Sequence, residues 1–510
     1  MESSRPAPAS LPFLTFLGRP FTLDLRALAL LRAAVAGVVL LDLGIRSTDL
    51  EAHYSNQGVL PVAALYDHLW TPYQFSLHAA TGLWQLQALL FGLAAGCAVA
   101  LLLGYHTRLA TLLSWILLVS VQNRNPMIGQ GGDDLLRMLL FWGLFLPWGR
   151  VWSRDARQRG PVLSYAYCSA ATVAYVVQLA LLYWCTALLK FGPEWTQQGT
   201  ALYYALSLDQ LVLPLGKVLY PYPALLRILT LGTWYGELLV PFLLFLPFGV
   251  RRARLAFLFL TLSFHLGVSL TLFVGLFFII CSVAGLGLLP ASTLSWLQTQ
   301  ALRLWAYWQQ HAAKTRQFAL HWPRLPWRLE QQPTGLGPAT RVLLRGAREA
   351  VVGVLLLYVC WWNLDGIATT PSLLMSEPLR WLGYAFRVDQ HWGMFAPTVF
   401  KDDGWYILEG STPDGRLLDL NRGGQPASYG KPAAVVSLFS NDRWRKYSEN
   451  YLFVSNEWMR PYYCNYLLRK WRENPANPPL SHLVVVYMKE VSLPDYQVAE
   501  PTREVLCECQ

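Results

Sequence analysis

Residues 255–289 read LAFLFLTLSFHLGVSLTLFVGLFFIICSVAGLGLL, a run with one histidine and no Asp, Glu, Lys or Arg. A helix crossing a hydrocarbon core of about 30 Å needs about 20 apolar residues. The run is too long for one crossing, so it predicts two spans joined by a hairpin near Ser269. Working outward, the same rule gives nine spans, at 27–46, 79–103, 107–122, 134–150, 165–190, 224–249, 253–269, 271–289 and 344–362. The 510 residues are 54% hydrophobic and 14% charged, with a mean hydropathy of +0.30. That balance is too apolar for an ordinary soluble chain and predicts a mainly α, polytopic transmembrane bundle.

The net charge of +10 does not point to nucleic acid. Arg108, the group Arg150, Arg154, Arg157 and Arg159, the run Arg251, Arg252 and Arg254, and the basic stretch Arg303 to Arg348 fall in alternate loops, which the positive-inside rule makes cytoplasmic. Loops 47–78, 123–133 and 191–223 are poor in Lys and Arg and face the other side. Nine spans then put the N-terminus in the cytoplasm and the C-terminal region outside it. No signal peptide is evident in Met1 to Pro12. The expected parts are a membrane core at 1–290, a basic cytoplasmic linker at 291–343, a last span at 344–362 and a small β-rich extracytoplasmic domain at 363–510.

In that domain Trp405–Glu409, Arg416–Leu420, Ala434–Phe439 and Leu483–Met488 read as strands. The turn signal Thr412-Pro-Asp-Gly415 predicts a hairpin over 405–420. Tyr451 to Trp471 reads as helical, and His321 to Gly337 as a Pro- and Arg-rich linker. Five cysteines lie in or beside apolar runs, where thiols pack as small hydrophobes. Cys464, Cys507 and Cys509 allow one internal disulfide with one thiol left over, and Cys507-Glu-Cys509 is too isolated in sequence to assign a redox centre.

Ionisable side chains within apolar spans are costly and so become candidate functional residues. Arg32 opens the first span. Asp42 and Arg46, four residues apart, share a helix face as an ion pair or as part of a basic pocket for an anionic headgroup. Asp133 and Asp134 begin a helix after a Gly-rich loop, where carboxylates cap free amides, and Arg137 lies one turn on. Lys190 ends the fifth span before Phe-Gly-Pro-Glu-Trp195, either as a snorkelling anchor or as a desolvated base. His265 is the one histidine inside a span, suited to a helix-packing hydrogen bond or to proton handling. Phosphate-loop, dinucleotide-fold, zinc-protease and serine-hydrolase signatures are all missing from the sequence.

Several stretches together resemble one family: Leu31-Arg-Ala-Ala through Asp42 and Arg46, the Gly129 to Arg137 loop with Phe145-Leu-Pro-Trp-Gly149, Leu188 to Gly199, Ser263-Phe-His265, Gln390 to Pro397 and Asp403-Gly-Trp405. Their order and spacing resemble the horizontally transferred transmembrane (HTTM) family, the membrane core shared with vitamin K-dependent gamma-glutamyl carboxylases. The resemblance implies that Lys190, in the setting Lys-x-x-x-x-Trp-x-x-x-Gly, is a base acting on a reduced quinone. The family's Ser/Tyr-Phe-His element falls on His265 and its Trp-x-Met element on Trp392 and Met394; with Lys190 as base, His265 and Asp134 are expected to assist it, Arg32, Arg137, Trp195, Trp392 and Met394 to line the cofactor site, and a secreted peptide or protein to be the substrate. The carboxylases carry an Asn-Asn-His element where this chain has Asn123-Arg-Asn125 and a Gly-Gly-Asp-Asp motif, which aligns it with bacterial-type members and an inner-membrane location. The other reading is a lipid-binding scaffold that assists export of a partner.

Neutral-pH base chemistry requires the Lys190 amine to be desolvated or near a second cation, with Phe191 and Trp195 supplying the first and Arg137 the second. The base reading therefore predicts an amine in a closed, partly apolar cavity with no carboxylate beside it, whereas an amine exposed to water or paired with Glu194 would be a membrane anchor. Orientation has its own test. In a cysteine-free background, a single cysteine at position 199 is expected to react with an impermeant maleimide from outside and one at position 157 is not; outside labelling of 157 would reverse the orientation.

Overall fold

The computed structural model describes residues 12–312, 337–368 and 374–510. It is mainly helical, with a small β-sheet towards the C-terminus. Helix α1 (Leu25–Ser47) starts at Asp24, whose side chain accepts from the Arg26 amide at 2.8 Å. Helix α2 (Trp84–Leu103) stops at Gly104, where φ is +64° and the Arg32 side chain leaves no room for a Cβ. There follow α3 (Thr107–Arg124), α4 (Gly131–Gly143) and α5 (Ala170–Leu189), the last opened by Ser169. Next come α6 (Pro223–Leu239), continued by a 3-10 turn over Val240–Phe245, and α7 (Val250–Thr271). The first five helices pack in sequence order, and α5 also packs on α6 and on α10 (Pro338–Asp365).

Among the described residues, five helices are long and apolar enough to cross a membrane: α1, α2, α5, α6 with its 3-10 turn, and α7. The bent pair Phe277–Leu288 and Ala291–Trp308, which meet at 103°, would make six if counted as one span. The remaining runs expected to cross fall on shorter or more polar helices: 107–122 on α3, 134–150 on the 13-residue α4 and the turns after it, and 344–362 on α10, whose first half carries Arg341, Arg345, Arg348 and Glu349.

Two expectations are corrected. Helix α7 runs through Ser269 to Thr271, and the break comes at 272–276, where Leu272 bridges to Val212. After the short α8 (Phe277–Ala284), residues 291–312 of the expected linker form helix α9 (Ala291–Ala312). Positions 313–336, with nearly all of the Pro- and Arg-rich stretch, lie outside the described residues. Finally, Val435–Leu438 is a 3-10 turn rather than a strand, with Val435 packed under the sheet against Trp405, Ile407 and Val486.

The sheet is antiparallel in the order β3-β2-β1-β4-β5, where β1 is Asp402–Ser411, β2 Leu417–Asp419, β3 Gln425–Pro426, β4 His482–Val491 and β5 Thr502–Cys509. β1 and β2 form the expected hairpin, closed by Gly415 at φ +83°. One face of the sheet carries α12 (Arg460–Glu473), and α11 (Asp442–Leu452) reaches from the sheet to the helices.

The three Lys/Arg-poor loops all meet this C-terminal region. Glu51 bonds Arg469 and Lys470, Asp133 bonds Arg443, and Glu194 bonds Lys401. The strongest joint is buried. Asp42, Arg46, Asp133 and Arg443 form a closed set of two acids and two guanidiniums, each 5% exposed or less, with Arg46 to Asp42 at 2.7 Å, Arg46 to Asp133 at 2.8 Å and Arg443 to Asp42 at 2.6 Å. Burial and the Arg46 charge oppose the charge on Arg443, yet Asp133 and Asp42 outweigh them and raise its pKa above the ordinary value.

Trp392 seals the joint on the α10 side, almost wholly buried, with its indole N–H donating to Asn363 at 2.9 Å. Trp392→Ala is expected to destabilise the protein by about 3–5 kcal/mol, read as a lower melting temperature in detergent. An unchanged melting temperature would show that this segment does not dock.

Candidate functional site

Lys190 caps α5 at the point where Pro193 prevents the helix from continuing. Trp234 donates to the Ala187 carbonyl and Trp184 to the Leu238 carbonyl, both at 3.1 Å, which fixes α6 beside α5. This brings Glu237 to Lys190. The amine donates to both carboxylate oxygens, at 2.8 and 2.6 Å, and lies 4.5 Å from the centre of the Trp195 ring. Lys190 is 3% and Glu237 7% exposed. The desolvation expected from sequence is present, but the expected lack of a carboxylate is not: Glu237 is a partner that sequence reasoning missed. Glu194 is engaged elsewhere, with Lys401 at 3.0 Å.

Two turns back on the same face of α5, the Tyr183 hydroxyl lies 3.0 Å from His265 Nε2 on α7. His265 Nδ1 is buried and has no hydrogen-bond partner among the described residues. Glu237 lies within electrostatic range of Tyr183, and Lys190 within range of His265. Four proton-bearing side chains from α5, α6 and α7 thus share one mainly apolar region, bordered by Phe264, Phe277 and Trp195, with Thr261 and Cys281 also near Tyr183.

Asp134 and Arg137 form a neighbouring group that holds a strap, residues 387–397. Arg137 bonds Asp134 and Gln122, both at 2.9 Å, and donates to the carbonyls of Arg387 and Asp389. Asp134 accepts from the His391 amide at 3.2 Å. With these partners Arg137 is a clamp on the strap; the expectation that it supplies the cation beside Lys190 is not met. Met394, half-buried, packs on Gly131. The strap ends at Lys190's neighbours, where the Trp195 indole donates to the Phe395 carbonyl at 2.9 Å and the Gly192 amide to that of Pro397 at 3.0 Å. Arg32 lies apart, donating to the Trp152 carbonyl at 2.8 Å, with Nε and Nη1 buried and unpartnered.

Among the described residues, one group has carboxylates close enough to share a metal ion: Asp209, Asp403 and Glu490. The Lys431 amine already bonds Asp209 at 2.6 Å and also Glu490, so an ammonium supplies the neutralising charge. Comparison with protein-family models, curated proteins and solved structures gives no match. The functional reading therefore rests on the chemistry of these side chains.

Burial pushes the Asp403 carboxyl up to about 7, against donation from the Asp209 and Gly404 amides and with the Asp209 and Glu490 charges adding to the effect. An unfolded Asp ionises near 3.9, so between about pH 4 and 7 the native state holds the extra proton and stability falls as pH rises. Asp403→Asn cannot ionise. Its melting temperature is expected to fall less than that of the wild type between pH 5 and 8, and equal slopes would refute the assignment.

Proposed function

We propose that this chain is a multi-pass integral membrane enzyme in which Lys190 and Glu237 act together as a proton-handling pair for a lipid-soluble ligand. The observation that carries this reading is the burial of Lys190, Glu237, Tyr183 and His265 together, on three helices that are otherwise mainly apolar. Polar groups so placed cost several kcal/mol unless paired, and function is the usual reason they persist. Support for a membrane comes from five sufficiently long apolar helices and from the outward apolar faces of α6 and α7, including Ile228, Phe242, Phe259 and Leu262. In this proposal nine crossings leave the β-rich region outside the cytoplasm, because it docks on the three loops poor in Lys and Arg.

The ion pair changes the mechanism expected from sequence. With both Glu237 oxygens on its amine, Lys190 is the cation that favours a nearby anion, and Glu237 is the group that accepts a proton. Tyr183 and His265 Nδ1 offer hydrogen bonds that orient a bound molecule, and the Trp195 ring offers an aromatic face. A reduced quinone, the ligand implied by resemblance to the gamma-carboxylases, would supply an acidic hydroxyl at this position. The unpartnered His265 nitrogen and the aromatic border suit such a group. The strap held by Arg137 and Asp134 would cover the site, and the sheet region would present a secreted polypeptide.

A specific observation favours a second reading. The Lys190–Glu237 pair is fully satisfied, as a packing element in a lipid-binding scaffold would be. Oxygen uptake by the purified protein given reduced menaquinone separates the two. The enzyme reading expects turnover that drops by about 10²-fold or more in Lys190→Ala and Glu237→Gln. No turnover in the folded wild type, or turnover untouched by both variants, would leave the scaffold.

A further inference from the structure

Cys507 and Cys509 flank Glu508 on β5, so both sulfurs leave the sheet on the same side. They sit opposite Val485 and Leu483 of β4, on the face covered by α12. From α12 comes Cys464, fully buried and 43 positions before Cys507 in the chain. Its sulfur lies 2.6 Å from that of Cys509 and within electrostatic range of Cys507. The Tyr451 hydroxyl on α11 lies 2.9 Å from the Cys507 sulfur. Packing alone does not require three thiols on one point of contact. β5 is an edge strand, and both of its cysteines are half-buried, within reach of a small reagent.

We propose that Cys464, Cys507 and Cys509 form a dithiol–disulfide site in which buried Cys464 is the shared partner of two exchanging thiols. The oxidant class is a low-molecular-mass disulfide, RSSR. Its reduction by the Cys464 and Cys509 thiols makes one S–S bond in the protein and releases two RSH, so two electrons and two protons pass to RSSR. The exchange step needs no oxidant. The Cys507 thiolate attacks the Cys464 sulfur, the Cys464–Cys509 bond breaks, and Cys509 leaves as the thiolate.

The local chemistry supports this division of roles. Donation from Cys464, with the Arg472 charge, draws the Cys509 thiol below its ordinary pKa against desolvation; the interaction with Cys464, with help from Tyr451, does the same for Cys507. The Cys464 thiol is raised correspondingly. The outer thiols are therefore the attacking and leaving groups, and the inner sulfur is the one attacked. The site lies in the sheet region, away from Lys190, and is independent of the function proposed there.

The test uses the full-length protein in detergent, treated with oxidised glutathione, quenched in acid, alkylated and digested with a glutamyl endopeptidase. Cleavage after Glu504 and Glu508 separates Cys507 from Cys509, so mass spectrometry identifies each bond. The wild type is expected to give a Cys464–Cys509 cross-link. Cys509→Ser is expected to move it wholly to Cys464–Cys507, and Cys507→Ser to leave it in place. Oxidised wild type in which Cys464 is still fully alkylated, or in which it is joined only to another chain, would overturn the proposal without recourse to a variant. So would Cys509→Ser without a Cys464–Cys507 bond.

Discussion

Four charges buried between the helices and the C-terminal region set the constraint on which the structure depends. Asp42, Arg46, Asp133 and Arg443 are each nearly inaccessible, and each acid is shared by the two guanidiniums. Removing charges from water costs several kcal/mol per ion, which is recovered only where geometry and the remaining hydrogen bonds are nearly complete. Here they are: Arg46 also donates to the Tyr54 hydroxyl at 3.0 Å, Arg443 to the Ile128 carbonyl at 2.9 Å, and Asp133 accepts from the Gln130 amide at 3.0 Å. The set balances only when all four are present. The helical bundle alone would hold two acids and one base, so the C-terminal region completes it rather than hanging from it.

That completion positions the Lys190 group. With Arg443 seated on Asp133, the loop leading into α4 is fixed, and Asp134 and Arg137 one turn further hold the 387–397 strap. The strap then bonds Gly192 and Trp195 on either side of the amine's ring contact. A chain of hydrogen bonds and ion pairs thus runs from the sheet region to the amine, while the pairing of Lys190 with Glu237 belongs to α5 and α6 alone.

Much of this was legible in the sequence. Apolar length placed the helices, alternating basic loops predicted which loops share an end, and Thr412-Pro-Asp-Gly415 gave the hairpin. Ser269 misled because length alone divided the run: the five residues that interrupt the helix are as apolar as their surroundings, and it is the bridge from Leu272 to Val212 that ends it. Glu237 was within reach, since a lone acid inside an apolar run obeys the rule that singled out Lys190, but 47 positions hide the pairing. Arg443 sits among other charges in Asp442–Leu452, of which Asp442 and Arg445 are also buried, and nothing local distinguishes the one that reaches Asp42 and Asp133. β5 escaped notice because an edge strand carries charges along its length.

The central claim is that the four charges form one closed set across the two regions, and a double-mutant cycle on Asp133 and Arg443 tests it most directly. Asp133→Leu and Arg443→Met each leave an uncompensated buried charge, at a cost of about 3–5 kcal/mol. Together they leave the neutral Asp42–Arg46 pair. Melting temperatures in detergent are therefore expected to show the double variant more stable than either single variant. Strictly additive losses would contradict the account and make the cluster a set of independent contacts.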